Sequence, residues 1–172
     1  MAGSFISAAF LDEHPAIDCV GCGMIVFDEN GERGVRLNVE YPTRDFLVHT
    51  TPFAHPTIVM RKYVYDKIGG YTTSGKSLRC DDTELWFRFY AEGFTGYNLQ
   101  EPLYYYHESV IDFKKRSFKS SLETFKVCID GYKMLNYPWW KYVYALKPIV
   151  SALMPNKLMY TYHKILDRKK VR

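Results

Sequence analysis

The hydrophobic pattern changes period several times along the chain. Ile17-Asp18-Cys19-Val20-Gly21-Cys22-Gly23-Met24-Ile25-Val26-Phe27 is a nearly unbroken apolar run closed by Asp28-Glu29-Asn30-Gly31, the pattern of a buried strand ending in a turn. From Arg33 to Glu40, Val35, Leu37 and Val39 alternate with Arg36, Asn38 and Glu40, so a half-buried partner strand and a hairpin are predicted. Pro52 and Pro56 mark a loop. Thr57-Ile58-Val59-Met60 then reads as a short buried strand leading into a helical turn over Lys62–Ile68, which Gly69-Gly70 ends. Asp82 to Glu92 is predicted helical, with Leu85, Trp86, Phe89 and Tyr90 on its apolar side and Gly93 as its stop. Thr95 to Tyr106 returns as extended chain, divided by a break at Glu101-Pro102. The element order is mixed α/β.

The remainder is helical in pattern. Phe118, Leu122, Phe125, Ile129 and Tyr132 recur at helical spacing, which predicts an amphipathic helix over Asp112–Leu135 with Lys114, Lys115, Lys119, Lys126 and Lys133 toward water. Tyr137-Pro138 closes it. Trp139–Met154 is apolar on nearly every face, yet its 16 residues would extend only about 24 Å as a helix, short of the roughly 30 Å of a bilayer core. Pro148 is expected to kink it. Asn156 can cap a last helix bearing Leu158, Met159, Tyr162, Ile165 and Leu166 opposite Lys157, Lys164, Arg168 and Lys169.

The composition, 47% hydrophobic and 24% charged over 172 residues, excludes disorder, a coiled coil and a collagen-like rod. Met1-Ala2-Gly3-Ser4-Phe5 lacks the basic region and apolar run of a secretory signal, so neither secretion nor a spanning helix is expected. Charge adds a division. Residues 1–111 carry 9 Lys/Arg against 15 Asp/Glu, and residues 112–172 carry 14 against 4. The expected organisation is therefore an acidic α/β part, 1–111, followed by a basic, aromatic-rich helical tail, 112–172. Such a tail must meet something anionic, phosphate-bearing lipid or nucleic acid. No aromatic run of the RNA-binding kind accompanies it, so nucleic acid is not expected.

Cys19, Cys22, Cys80 and Cys128 are the only cysteines. Cys19 and Cys22 form a C-x-x-C without a second pair or a histidine at zinc-finger spacing, and they lie within an apolar run. Buried free thiols in a reducing compartment are the expectation.

The strongest chemical feature is Cys80-Asp81-Asp82-Thr83-Glu84-Leu85-Trp86-Phe87-Arg88. Helix capping explains part of it, with Asp81 as N-cap and Glu84 three residues later completing a capping box. Asp82 is left over, and a first-turn carboxylate facing a cleft is a positioned proton acceptor. Neighbouring helical residues point about 100° apart, so Asp81 and Asp82 are not a paired glycosidase dyad.

These residues resemble the Glu/Asp-Asp-x-Asp/Glu-Leu-Trp-x-Arg motif of family 2 glycosyltransferases with the GT-A fold. Three further blocks match in order: Phe10–Asp18 with Val20-Gly21-Cys22-Gly23, His55–Arg61 with Ile68-Gly69-Gly70-Tyr71, and Asn98–Tyr106. The resemblance covers about residues 8–111 and implies a partial GT-A-like mixed sheet with flanking helices. It implies an inverting transfer of a sugar, of hexosyl type, from a nucleotide-sugar to a glycan or lipid-linked acceptor in bacterial surface-polysaccharide synthesis, with Asp82 as catalytic base. Asp81 and Glu84 become supporting residues, Asp81 standing where the family usually has Glu. His55 and Arg61 either line the acceptor side or pack. Trp86 reads as core before sugar platform. His107 reads from its position as a solvated strand-end histidine, and the resemblance places it near metal or diphosphate.

A complete GT-A domain begins with a nucleotide-binding half ending in an Asp-x-Asp metal motif, and no Asp-x-Asp occurs in this chain. The resemblance implies Mn²⁺ or Mg²⁺ for a full-length enzyme and none bound by this chain alone, which is expected to be inactive by itself. An excised piece, a split gene and a degenerate remnant fit equally, with self-association or a donor-half partner covering the exposed face. The tail is expected at the cytoplasmic membrane surface, with Trp139, Trp140 and Tyr142 at headgroup depth. The rival reading is a non-enzymatic module that binds carbohydrate or anionic membrane.

Overall fold

A computed structural model gives the architecture and describes residues 2–72, 80–109, 118–153 and 161. The order is helix α1 (Ala2–Glu13), strands β1 (Cys19–Asp28) and β2 (Gly31–Arg36), 3-10 turns at Arg44–Val48 and His55–Thr57, β3 (Val59–Met60), α2 (Lys62–Lys67), α3 (Asp81–Ala91) and β4 (Gly96–His107). Then come α4 (Phe118–Met134), a 3-10 helix at Trp139–Leu146 and α5 (Lys147–Ala152). The fold is mixed α/β with flanking helices, as the pattern predicted, and consistent with a partial GT-A-like sheet. Helix α1 was not assigned from the sequence.

Strand β1 is the hub of a four-stranded mixed sheet. β4 runs parallel along one edge from Cys19↔Gly96 to Phe27↔His107. β3 and then β2 run antiparallel to successive stretches, Cys19–Val20 and Met24–Asp28. Paired on both edges and covered on both faces, β1 is buried along almost its whole length, which is why it reads as a continuous apolar run. The expected break at Glu101-Pro102 is a bulge inside one strand, because the register slips on both sides of Gly23↔Pro102. Pro102 has no N–H for the ladder, and a bulge is where a strand admits it. A side chain at Gly23 would meet the Glu101 carbonyl at 3.0 Å and Pro102 Cα at 3.2 Å.

Two layers cover the sheet. Cys22 faces Gly3 and Ser4 of α1 across a cavity of about 120 Å³, whereas Cys19 belongs to the core that holds Trp86 and Phe87 of α3 and Tyr132 of α4. Strand alternation puts these two cysteines on opposite faces. Phe53 fills the gap between the sheet glycines Gly21 and Gly96 on one side and Trp86, 4.7 Å away between centroids, on the other.

The buried face of α4 matches the predicted one in its second half, where Tyr132 is buried and Phe125 and Ile129 pack against the core. Phe118 and Leu122 at its start are exposed, and Ser121, Cys128 and Gly131 are buried in addition. Small residues set this face because α3 comes close: Thr124 Oγ1 lies 3.2 Å from Cys80 Sγ, and a Cβ at Gly131 would stand 2.2 Å from the Phe87 ring. Gly131→Val is therefore expected to destabilise the protein by about 1–3 kcal/mol through overpacking. The gain in helix propensity over glycine, under about 1 kcal/mol, does not offset it. A lowered urea midpoint is the readout; an unchanged one would mean that α4 is not seated on α3. Lys119, Lys126 and Lys133 face water as predicted, while Lys114 and Lys115 lie outside the described residues.

The chain after α4 returns to the same core, which includes Leu135, Tyr137 and Ala145. Tyr137 donates its hydroxyl hydrogen to the Arg44 carbonyl, Lys141 pairs with Asp45 at 2.7 Å, and Lys147 donates to the His49 carbonyl at 2.5 Å. Pro148 does not kink a long helix. It sits in the first turn of α5, where its missing N–H leaves no bond unmade. The helix expected from Asn156 lies, apart from Thr161, outside the described residues.

Candidate functional site

The acid cluster opens α3, but not as a capping box. Cys80 is the N-cap and makes no side-chain cap bond, and Asp81 is the first helical residue. Glu84 does not reach back; Arg88 donates to its two oxygens at 2.8 and 2.7 Å, in the (i, i+4) arrangement that suits a helix. A planar guanidinium so engaged still has donors to use. Arg88 also reaches the Ile68 carbonyl, and Thr72 donates to Glu84 Oε2 at 2.7 Å. Glu84 and Arg88 thus tie the segment after the Gly69-Gly70 turn to α3, where both glycines take positive φ (75° and 62°). Asp82 is held separately: its Oδ1 accepts the Thr83 backbone N–H at 2.7 Å and the Thr83 hydroxyl at 3.3 Å.

Tyr71 lies on the tied segment, and its Oη is 2.6 Å from His55 Nε2. Burial pushes the Tyr71 phenol up, helped by Tyr65 and then by the Asp81 and Asp82 carboxylates, so it stays a neutral hydroxyl beside the acids. His55 also meets Trp86 edge-on, centroids 6.1 Å apart. Trp86 is fully buried, as its core reading requires. His55 Nδ1 and Trp86 Nε1 are buried with no hydrogen-bond partner among the described residues. The structure therefore gathers Asp81, Asp82, Tyr71, His55 and Trp86 around the start of α3. Tyr71 was seen in the sequence only as part of a motif; its position directly after two glycines and eleven residues before Asp82 gave no chemistry by itself.

Two sequence candidates lie elsewhere. Arg61 is committed to the end of α1, donating to the carbonyls of Ile17 (2.9 Å), His14 (3.3 Å) and Leu11. His107 ends β4, half-exposed, 3.6 Å from Glu29 and tilted on Phe27. Beside it is a cluster that the sequence reading missed. Glu108 is buried and accepts from Arg33 at 3.1 Å and from Arg36 at 3.3 Å. Both arginines lie on β2; the alternation placed Arg36 on the polar face and took Arg33 only as the start of the strand.

All four cysteines are free and buried. Burial pushes the thiol of Cys19 far up and that of Cys128 to about 11, so neither is a nucleophile near neutral pH. Among the described residues no group of three or more His, Cys, Asp or Glu is placed to hold a metal ion.

No protein-family model matches the chain. It is 42% identical over 156 residues, 91% of its length, to a protein of Bacillus subtilis (strain 168) named "Putative glycosyltransferase EpsE". The match spans 56% of that relative's length, and it includes the whole sheet and the start of α3 in any alignment that covers so much of this chain.

Proposed function

We propose that this chain is the acceptor-side portion of an inverting family 2 glycosyltransferase with the GT-A fold, and that Asp82 is its catalytic base. The observation that carries the reading is the carboxylate of Asp82, fixed by Thr83 at the first turn of α3 beside Tyr71 and His55. The name of the 42% identical relative supports the transferase class. In this reading Asp82 takes the proton from an acceptor hydroxyl as its oxygen attacks the anomeric carbon of a nucleotide-sugar. The C–O bond to the diphosphate breaks and the configuration inverts. Positioned proton transfer of this kind is worth about 10²–10⁴ in rate. Asp81 adds negative potential, Glu84 acts through Arg88 to hold the Tyr71 segment, and His55 with Tyr71 borders the acceptor.

The Mn²⁺ or Mg²⁺ that the family implies finds no donor set among the described residues. The donor half belongs, in this reading, to the part of a longer protein that the match does not span. The test is sugar transfer by the full-length protein carrying Asp82→Asn; undiminished transfer would end the assignment of Asp82 as base.

The tail is assigned to an anionic membrane surface on the cytoplasmic side. Trp139 is 82% and Trp140 58% exposed, and Val143, Leu146, Val150 and Leu153 are exposed beside them. No helix of the described residues is long and apolar enough to cross a membrane, so contact is at the interface. Tyr142, expected beside the tryptophans, turns inward against Tyr132. The chain is expected to float with phosphatidylglycerol vesicles at low salt, and the Trp139→Ser/Trp140→Ser double variant to bind on the order of tenfold more weakly. A wild-type chain that stays with the unbound fraction would exclude the membrane assignment.

A further inference from the structure

Two buried polar atoms near the start of α3 have no hydrogen-bond partner among the described residues, His55 Nδ1 and Trp86 Nε1. They belong to rings that meet edge-on, with centroids 6.1 Å apart. The other imidazole nitrogen, Nε2, is 2.6 Å from Tyr71 Oη. A neutral imidazole carries its proton on one nitrogen or the other, and the choice decides what the Tyr71 hydroxyl is free to do.

With the proton on Nδ1, Nε2 accepts from Tyr71. Two neighbouring rings then bury two N–H groups without acceptors, because an indole nitrogen is a donor only. Orphaned buried N–H groups are rare in folded proteins, since each is stripped of water with nothing in exchange. With the proton on Nε2, the indole is the single stranded donor, Nδ1 presents a lone pair, and Nε2–H donates to Tyr71 Oη. The second arrangement leaves fewer donors unpaired, and it does not spend the Tyr71 hydrogen on His55.

Tyr71 is placed to use that hydrogen. Its ring meets His55 and Tyr65 edge-on, with centroids 5.6 and 5.8 Å apart, and the residue after it is tied to α3 through Glu84. It is nevertheless exposed at the surface. Burial first, then Tyr65 and the Asp81 and Asp82 carboxylates, keep the phenol protonated. A neutral donor therefore stands beside an acceptor-only carboxylate, and an acceptor molecule with two hydroxyls can answer both.

We propose that His55 is a positioning residue for the transfer: protonated on Nε2, it donates to Tyr71 Oη and reserves the Tyr71 hydroxyl hydrogen for a second oxygen of the acceptor, beside the hydroxyl that Asp82 deprotonates. The proposal rests on the reading of Asp82 as base, and it makes Tyr71 an acceptor-binding residue.

The whole chain, labelled with ¹⁵N, gives the first test. The His55 ring, identified by the signals that His55→Gln removes, is expected to show a protonated Nε2 and a bare Nδ1. The reverse pattern overturns the proposal whatever Asp82 does. Methyl β-D-glucopyranoside and methyl β-D-galactopyranoside, titrated into the same chain, give the second. At least one is expected to bind in the millimolar range and to shift the Tyr71 ring signals. Tyr71→Phe and His55→Leu are each expected to weaken it about tenfold, the scale of one hydrogen bond. His55→Gln retains an N–H for Tyr71 and is expected to bind as the wild type does.

The double variant Tyr71→Phe/His55→Leu is expected to bind no more weakly than Tyr71→Phe alone, since His55 acts only through the hydroxyl. Losses that add would leave His55 without a positioning role. Should His55→Leu not fold, Tyr71→Phe and the ring nitrogen signals still decide. The proposal falls if neither glycoside binds, or if Tyr71→Phe binds as well as the wild type. Sugar transfer lost in Asp82→Asn, with glycoside binding untouched in Tyr71→Phe, would remove this role and leave the base assignment standing.

Discussion

Asparagine at position 82 of the full-length protein is expected to lower kcat by about 10²–10⁴, with the KM for the nucleotide-sugar near its starting value. The amide keeps an oxygen where Thr83 presents its N–H and hydroxyl, so the start of α3 should remain as built. What disappears is the capacity to accept a proton. A loss confined to kcat identifies an interaction made in the transition state rather than in substrate binding. Asp81→Asn is the companion measurement: its neighbour projects about 100° away around the helix, and its change should cost far less. Near wild-type turnover in Asp82→Asn would move the base elsewhere on the molecule.

Trp86→Ala is expected to remove about 3–5 kcal/mol of stability, out of the 5–15 kcal/mol or so that a domain possesses. The indole is fully buried and touches three rings: Phe53 at 4.7 Å, Phe89 at 5.6 Å and His55 at 6.1 Å between centroids. Alanine would leave a cavity that Phe53 cannot fill, since Phe53 is itself pinned against Gly21 and Gly96. Trp86→Phe should recover much of the loss. Equilibrium denaturation distinguishes a core residue from a sugar-stacking one: an unchanged midpoint with weakened acceptor binding would make Trp86 a platform.

The strands and α3 were legible because their signals are local. A ten-residue apolar run, a period of two and a Gly after a helical repeat each act within one element. The contacts that build the site are not local. Glu84 looked like half of a capping box, and only the position of Arg88 and Thr72 in space shows that it anchors Tyr71 instead. Arg61 sat in a motif block that left it either at the acceptor side or packed, and only the structure shows its donors closing the end of α1, whose helix was not foreseen. The face of α4 was misjudged in part for a related reason. Periodicity favours the largest apolar side chains, Phe118 and Leu122, whereas close packing on Phe87 selects the smallest at Gly131. Charge division at residue 112 was visible in composition, but that the residues beyond it enter the core beside α3 could be seen only in three dimensions.

The parallel pairing of β1 with β4 sets a delay during synthesis. The hairpin of β1 and β2 can close within microseconds of emerging, but the strand that covers the other edge begins only at Gly96. At ribosomal rates of about 5–20 residues per second, that edge waits several seconds after β1 is complete. For that interval Val20, Cys22, Met24 and Val26 sit on a strand with a free row of amides and carbonyls, the arrangement most prone to pairing with another nascent chain. The buried strand that organises the finished sheet is thus, while the chain is being made, its most adhesive segment.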